Sequence, residues 1–477
     1  MSGTATLQDA SALRQAHEKM PAPVLLMLIF VLMVPIEFSV SLGPLFLTPS
    51  KIFLVLITFV LLPKISEIQL KSYDWLMIVH SGWATISFVR TYGMADGIER
   101  SGFYVLEFLI VYLIARIYLK TVGQILSVVG FLFAMVALNA ILAVPEGITG
   151  RRYVHEIGRA ITGFYYNPFR EQRMGIWRSM ALFEHPILMG VFCSSALSLV
   201  WFTSTPQQRM WKVPLIFLGT FFAASSAPLL AFMLQLYLIG IERITRKVKA
   251  RVAKFSAGVA ILWVVLQYGT NRGFIGFLSL IVLNSHTAYY RRAQWREAID
   301  DVQRHFFFGF NPASFTRPRW MISSIDNNWL LVMMRSGVPS LFMIFGTILL
   351  IWLALARRKE DYPIFVNLRK GWGLMMIALL VAGATVAFFG KLQPLFSFYI
   401  GIGAALANCL VPQTGSEQPA PAPAGPVSRY TRFPQKPLAS PPRTGPARPA
   451  APVPGLASGA TPAYRRTPSA TRGRRTT

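Results

Sequence analysis

Apolar runs separated by short polar punctuation recur along most of the chain, at residues 22–42, 44–62, 74–90, 101–119, 122–144, 180–202, 211–225, 226–242, 253–270, 327–356, 371–389 and 392–411. A helix that crosses a bilayer needs roughly 20 mostly apolar residues. The pattern therefore predicts an all-α, polytopic membrane protein of about 12 transmembrane helices. The division within 211–242 rests on Ser225-Ser226-Ala227-Pro228, the one break in that run. Segment 273–286 is apolar but too short to span, and reads as interfacial or re-entrant. Residues 412–477 lack the apolar residues a core requires and hold 15 of the chain's 32 prolines, the composition of a disordered, partly polyproline-like tail. Three regions follow: a polar segment 1–21, a membrane domain 22–411 and the tail 412–477.

Composition agrees with this division. Hydrophobic residues make up 53% of the chain and charged residues 14%, against about 25% charged in soluble domains. The first apolar run carries Pro35 and Glu37 and lacks a small-residue cleavage site, so the first span is expected to be retained as an anchor. Cys193 and Cys409 both fall inside apolar runs and read as small fillers.

A net charge of +27 raises nucleic-acid binding as a function, but its distribution argues otherwise. The tail holds ten Arg or Lys and one Glu, and the rest of the excess is spread over short loops. Loops on the cytoplasmic side of membrane proteins are enriched in Lys and Arg. With the N-terminus inside, Lys64, Lys71, Arg116, Lys120, Arg209, Lys212, the run 242–254 and the run 357–370 all become cytoplasmic. Eleven of thirteen lysines then lie inside, with Lys51 and Lys391 the exceptions, and an even number of spans returns the tail to the same side. The tail reads as a solvated segment touching anionic lipid head groups, or as a docking segment for a cytoplasmic partner.

Two outward segments are long, about 145–179 and about 287–326. Both are rich in arginine and free of lysine: Arg151, Arg152, Arg159, Arg170, Arg173 and Arg178 in the first, Arg291, Arg292, Arg296, Arg304, Arg317 and Arg319 in the second. A guanidinium offers a planar fork that grips phosphate oxygens bidentately and stays charged. Such a set suits a phosphate-bearing or acidic ligand at the membrane surface. Pairing with Glu146, Glu156, Glu171, Glu297, Asp300 and Asp301 is the bland alternative. In the second segment Trp295, Ala298, Ile299 and Val302 recur at 3–4 spacing, predicting a short amphipathic helix broken by Gly309 and Pro312. Asp326 and Asn327 reach the outer end of the next run. A carboxylate there can deprotonate a hydroxyl or cap the helix that follows. Glu184-His185-Pro186 opens another run, with ionisable groups near membrane depth. His80, Glu37, Glu107, Asn139, Gln235 and Arg335 read as polar contacts between helices. No nucleotide-phosphate loop, zinc-ligand spacing or nucleophile elbow occurs, so neither an ATP-driven pump nor a metal or cofactor is expected.

Two stretches resemble the O-antigen ligase and polymerase superfamily of bacterial inner-membrane proteins, which includes exopolysaccharide polymerases. One is ALFEHPILMGVF (181–192), similar to that family's His-Pro-x-x-x-Gly signature. The other is RRAQWREAIDDVQRHFFFGFNPASF followed by SSIDNNWLLVMMRSGVPSLF, with Arg291, Trp295, Gly309, Asp326-Asn327 and Gly337 at the family's positions. Arg152 and Gly163 match a loose Arg-to-Gly spacing. The chain departs from the family in carrying Asp326-Asn327 where ligases usually have His-Asn, and in lacking an Arg at Ser225-Ser226-Ala227-Pro228.

The resemblance implies a GT-C-like arrangement with two periplasmic loops. It implies an inverting, metal-independent glycosyltransferase that polymerises polyprenyl-diphosphate-linked oligosaccharide repeats at the periplasmic face of the inner membrane. The acid at 326 favours the polymerase branch over a ligase moving a finished glycan to another acceptor, and a lipid-linked-glycan flippase is the reading from a different class. Asp326 and Arg291 are the catalytic candidates. Arg292, Arg152, Arg159, Arg173, Arg178, Glu184, His185, Trp295 and Asn327 are the candidates for diphosphate or glycan binding. Membrane lipids and a chain-length regulator are the expected partners, and nucleic acid is not.

Overall fold

The computed structural model describes residues 18–42, 45–164, 170–245, 265, 268–269, 285–321 and 324–411, with the side chains of 42, 45 and 285–288 excluded. All of them belong to one compact unit, Met1–Ser416. Residues 1–17, almost all of the run 253–270, most of segment 273–286 and the tail lie outside the described residues, so the number of twelve spans still rests on the sequence.

The helices are α1 (Ala22–Met33), α2 (Pro49–Glu67), α3 (Ser72–Tyr92), α4 (Met94–Tyr118), α5 (Val122–Thr149), α6 (Tyr153–Thr162), α7 (Pro186–Thr203), α8 (Pro206–Phe222), α9 (Ser226–Ile244), α10 (Ser285–Arg304), α11 (Asn328–Arg357), α12 (Pro363–Gly383) and α13 (Leu392–Asn408). Seven of the described helices are long and apolar enough to cross a membrane: α2, α4, α5, α7, α9, α11 and α12. The chain is thus an all-α, multi-pass membrane protein. Two short antiparallel hairpins accompany the helices, β1 (Val40–Leu42) with β2 (Leu45–Leu47), and β3 (Gln172–Arg173) with β4 (Ile176–Trp177).

Several expected boundaries move for local reasons. The first helix of the run 22–42 ends at Met33, because Pro35 has no N–H to continue the ladder, and the chain passes through a short 3-10 turn at Ile36–Phe38 into β1 instead. The run 44–62 begins with strand β2, and α2 starts at Pro49 under a Thr48 cap whose hydroxyl accepts the Lys51 N–H at 3.3 Å. α12 begins at Pro363, eight residues before the run 371–389, and ends at Gly383. Hydropathy marks the apolar centre of a helix and misses a polar first turn. The break at Ser225-Ser226 does separate α8 from α9.

Polar contacts tie like ends of the bundle together. At one end the Lys391 ammonium, just before α13, donates to Leu32 O at 3.3 Å and Leu182 O at 2.5 Å, and Asn328 Oδ1 accepts the Phe388 N–H at 3.1 Å. At the other, Asn408 of α13 donates to the Tyr73 hydroxyl of α3 at 2.5 Å, and Lys370 pairs with Glu242 at 2.8 Å. Neighbouring helices therefore alternate in direction. Gly401 of α13 lies against Tyr112 and Ala115 of α4, and Gly371 of α12 against Ser198 and Leu199 of α7, the close backbone approach that small residues allow in membranes. Of the polar residues expected between helices, His80 bonds the Tyr104 hydroxyl (2.8 Å) and Ser340 (3.0 Å) and Gln235 bonds Ser194 and Ser198, while Asn139 accepts the N–H of Leu182 in the loop before α7.

Candidate functional site

The end of the bundle holding Lys391 also carries both arginine-rich segments. α10 extends over Ser285–Arg304, longer than the short helix expected, and buries Arg291, Ala293, Gln294, Ala298, Asp301 and Val302 along one side. That face packs on the start of α11 through a cluster containing Leu330 and Met334, with Trp295 half-buried against it. The turn after α10 then clips onto α11: Phe310 N–H donates to Met334 O at 2.5 Å and Val338 N–H to Phe306 O at 2.8 Å. Trp83 of α3 fastens both sides, donating to Phe307 O at 3.1 Å and Ser336 O at 3.0 Å.

This frame decides the roles of Asp326 and Asn327. Asn327 caps α11: its Oδ1 accepts the Leu330 N–H at 2.9 Å and its Nδ2 donates to Ala384 O at 2.6 Å. Both ends of its amide are thus engaged within the fold. Asp326 is therefore not the cap. Its backbone N–H is held by Gln294 Oε1 at 3.2 Å, while Gln294 Nε2 donates to Ser324 O at 2.6 Å, so a buried amide on α10 fixes the segment bearing the carboxylate. Burial raises the Asp326 pKa above its ordinary value, and the charge of Arg291 opposes that rise. Arg291 is 9% exposed, its Nε–H is buried without a hydrogen-bond partner, and it faces Asp326 at electrostatic range without a direct ion pair.

The first arginine-rich segment reaches the same place through its hairpin. Arg173 of β3 lies close enough to Arg291 to depress its pKa further, after burial itself. Glu171 binds Arg178 at 2.7 Å and Arg173 at 3.1 Å; burial works to raise its carboxyl, but these two guanidiniums outweigh it and hold the pKa below the ordinary value. His185 caps α7, its Nδ1 accepting the Ile187 N–H at 3.2 Å. Burial, with Arg178 and Arg173 nearby, lowers its pKa to about 4. The ring is neutral at neutral pH, as its acceptor role requires.

Many of the arginines also have local partners. At least seven of the twelve pair with nearby carboxylates: Arg151 and Arg170 with Glu156, Arg152 with Glu146, Arg173 and Arg178 with Glu171, Arg296 with Glu297 and Arg304 with Asp301. Arg152 and Glu146 are fully buried. Arg152 also donates to Arg178 O at 2.6 Å, and Glu146 accepts the Met180 and Ala181 N–H groups, both at 3.0 Å. Both groups hold the loop onto α5. Arg159 and Arg292 lie on exposed faces of α6 and α10.

Glu184 falls elsewhere. It lines a cavity of about 450 Å³ with Lys51, Glu107, Lys391 and Gln393, bounded by α1, α2, α4 and the start of α13. Lys51 and Lys391, the two exceptions to the expected loop-charge pattern, thus line one cavity together with two carboxyl groups. Buried there, Lys391 has Glu184 and Glu37 as its charged neighbours. Glu37 in turn binds His155 Nδ1 at 2.6 Å, and His155 Nε2 meets Phe183 O at 3.1 Å. Gln294, which fixes the segment bearing Asp326, is a position that the sequence reading did not single out. The only signal for Gln294 was its place three residues after Arg291, on the same helical face. Among the described residues no group of three or more His, Cys, Asp or Glu could hold a metal ion.

No protein-family model matches this chain, and no characterised protein matches its sequence. What the fold defines is a class: a multi-pass helical membrane protein whose two arginine-rich segments converge beside a carboxylate at one end of the bundle.

Proposed function

We propose that the protein is a polysaccharide polymerase of the bacterial inner membrane, with both termini cytoplasmic, acting on polyprenyl-diphosphate-linked oligosaccharide repeats at the periplasmic face. The observation that carries this reading is the Asp326–Arg291 pair. A carboxylate released from capping by its neighbour stands beside a buried guanidinium with an unsatisfied donor. In the reaction, a sugar hydroxyl of one repeat attacks the anomeric carbon of another. The bond from that carbon to the phosphate oxygen breaks, and the polyprenyl diphosphate leaves with the electron pair. Asp326 takes the hydroxyl proton. Arg291, with Arg173 and Arg292, stabilises the charge that grows on the diphosphate, a role that fixed donors in a buried site fill without a metal. Arg178 and His185 shape the same surface through Glu171 and α7.

The test is polysaccharide output from cells carrying Asp326→Asn, with membrane abundance of the variant measured alongside. Normal abundance, loss of long polymer and build-up of single lipid-linked repeats is the expected result. Unchanged polymer overturns the assignment of Asp326. A ligase would use the same chemistry on a different acceptor, and single repeats would then not accumulate. Transport of the lipid-linked glycan has one observation in its favour, the charged cavity around Glu184 and Lys391. On that reading Asp326→Asn leaves polymer formation intact and charge-removing changes in the cavity abolish it.

A further inference from the structure

We propose that a groove at the opposite end of the bundle from Asp326 binds one anionic phospholipid. The groove, about 490 Å³ in volume, runs between the start of α3 and the end of α11, closed by the end of α13. Its lining includes two cations, Lys71 and Arg357, and no carboxylate. Both cations are exposed. Lys71 has one side-chain bond, to Gln69 Oε1 at 3.2 Å. Arg357 contrasts with its neighbour Arg358, which pairs with Glu360 at 2.6 Å and donates to Leu406 O and Cys409 O. The one acid in the first turn of α3, Asp74, is turned inward: it accepts from the Tyr112 hydroxyl at 2.5 Å, Arg116 Nε at 3.2 Å and the Lys71 N–H at 2.8 Å. It offers the cations nothing.

The apolar part of the groove begins one turn deeper on each helix. Trp75 follows Lys71 by four residues, and Ala354, Leu353 and Leu350 precede Arg357 by three, four and seven, the spacing of a single helical face. Trp75 and Leu353 are exposed, at 55% and 43%. Cations at the rim with hydrocarbon-lined wall beneath match a lipid with an anionic head group, and Trp is at home at that interface. A soluble phosphate would use the rim alone and leave the wall unexplained.

The test uses the full-length protein in detergent with equal amounts of phosphatidylglycerol and phosphatidylcholine of the same acyl chains, and counts retained lipids by native mass spectrometry. The wild type is expected to prefer phosphatidylglycerol. A Lys71→Gln/Arg357→Gln variant should lose about thirtyfold of that preference, the fold-change that corresponds to about 2 kcal/mol for two basic residues near an anionic surface. Arg243→Gln, a cation at the same end outside the groove, should keep it. Should the double variant not fold, the wild type titrated with salt gives the same reading, with the preference collapsing as ionic strength rises. A preference unmoved by the double variant or by salt overturns the proposal. Displacement of the lipid by an equal concentration of inorganic phosphate also overturns it, and makes the occupant a soluble anion.

Discussion

Gly309 and Gly337 interlock across the turn that follows α10. Both have left-handed backbone, φ +68° and +78°, and a Cβ on either would overlap backbone atoms of the other segment, Met334 O for Gly309 and Phe307 O for Gly337. The non-helical Gly337 kinks α11, and the gap receives the 306–310 turn. That clip is what brings α10, and with it Arg291 and Gln294, over the start of α11.

Gly337→Ala should therefore be among the most damaging single-methyl changes in the chain. Left-handed backbone alone costs roughly 1–2 kcal/mol for a residue with a Cβ, and the clash with backbone adds to it. Thermal unfolding in detergent should show a clear fall in Tm for Gly337→Ala and Gly309→Ala. Gly82→Ala and Gly130→Ala, in helical positions with open space around them, should be neutral or slightly stabilising. Equal effects at all four sites would mean that the clip does not hold the helices together.

Asn327 and Asp326 should separate stability from chemistry. Asn327→Ala removes a cap worth about 1 kcal/mol and strands Ala384 O, so folded yield should fall. Asp326→Asn should leave the Tm unchanged or raised, because desolvation disfavours the charge it removes, and should abolish polymer. If Asn327→Ala leaves the Tm intact and Asp326→Asn lowers it, Asp326 is the structural residue of the two.

The pH dependence follows from the raised Asp326 pKa. Its folded value lies above the ordinary 3.8, so protonation stabilises the fold. That contribution is fully present below 3.8 and is lost as pH rises through the folded value. A base must be ionised to work, so activity should run the opposite way, falling as pH drops through the same raised value. Removing the opposing charge with Arg291→Gln should push the acid limb of the residual activity higher still. A limb that stays in place in Arg291→Gln would rule out coupling between the pair.

Arg152→Gln and Arg292→Gln should fail differently. The first leaves Glu146 buried without its ion partner, a loss of about 3–5 kcal/mol, and should deplete the protein from the membrane. The second, on an exposed face of α10, should preserve abundance while weakening turnover severalfold. Membrane immunoblots together with polymer yield distinguish the two.

The class of protein is legible in the chain alone, because bilayer thickness demands long apolar helices and hydropathy records them directly. So are the arginine-rich segments, since charge against the expected sidedness stands out in any membrane chain. The chain also singles out Asp326, Arg291, Gly309 and Gly337 as motif positions, though not that Gly309 and Gly337 meet. Which arginines are structural emerges only from the packed fold. Arg152 and Arg173 look equivalent in the chain, yet one is sealed against Glu146 and the other pairs with Glu171 within electrostatic range of Arg291. The choice between Asp326 and Asn327 as the cap is of the same kind, because two adjacent residues can both accept the helix N–H groups until backbone direction selects one. Lys51 and Lys391, 340 residues apart, share a cavity only because α2 and α13 start at the same end of the bundle. Long-range pairings of that kind depend on how helices pack, and local periodicity carries no trace of them.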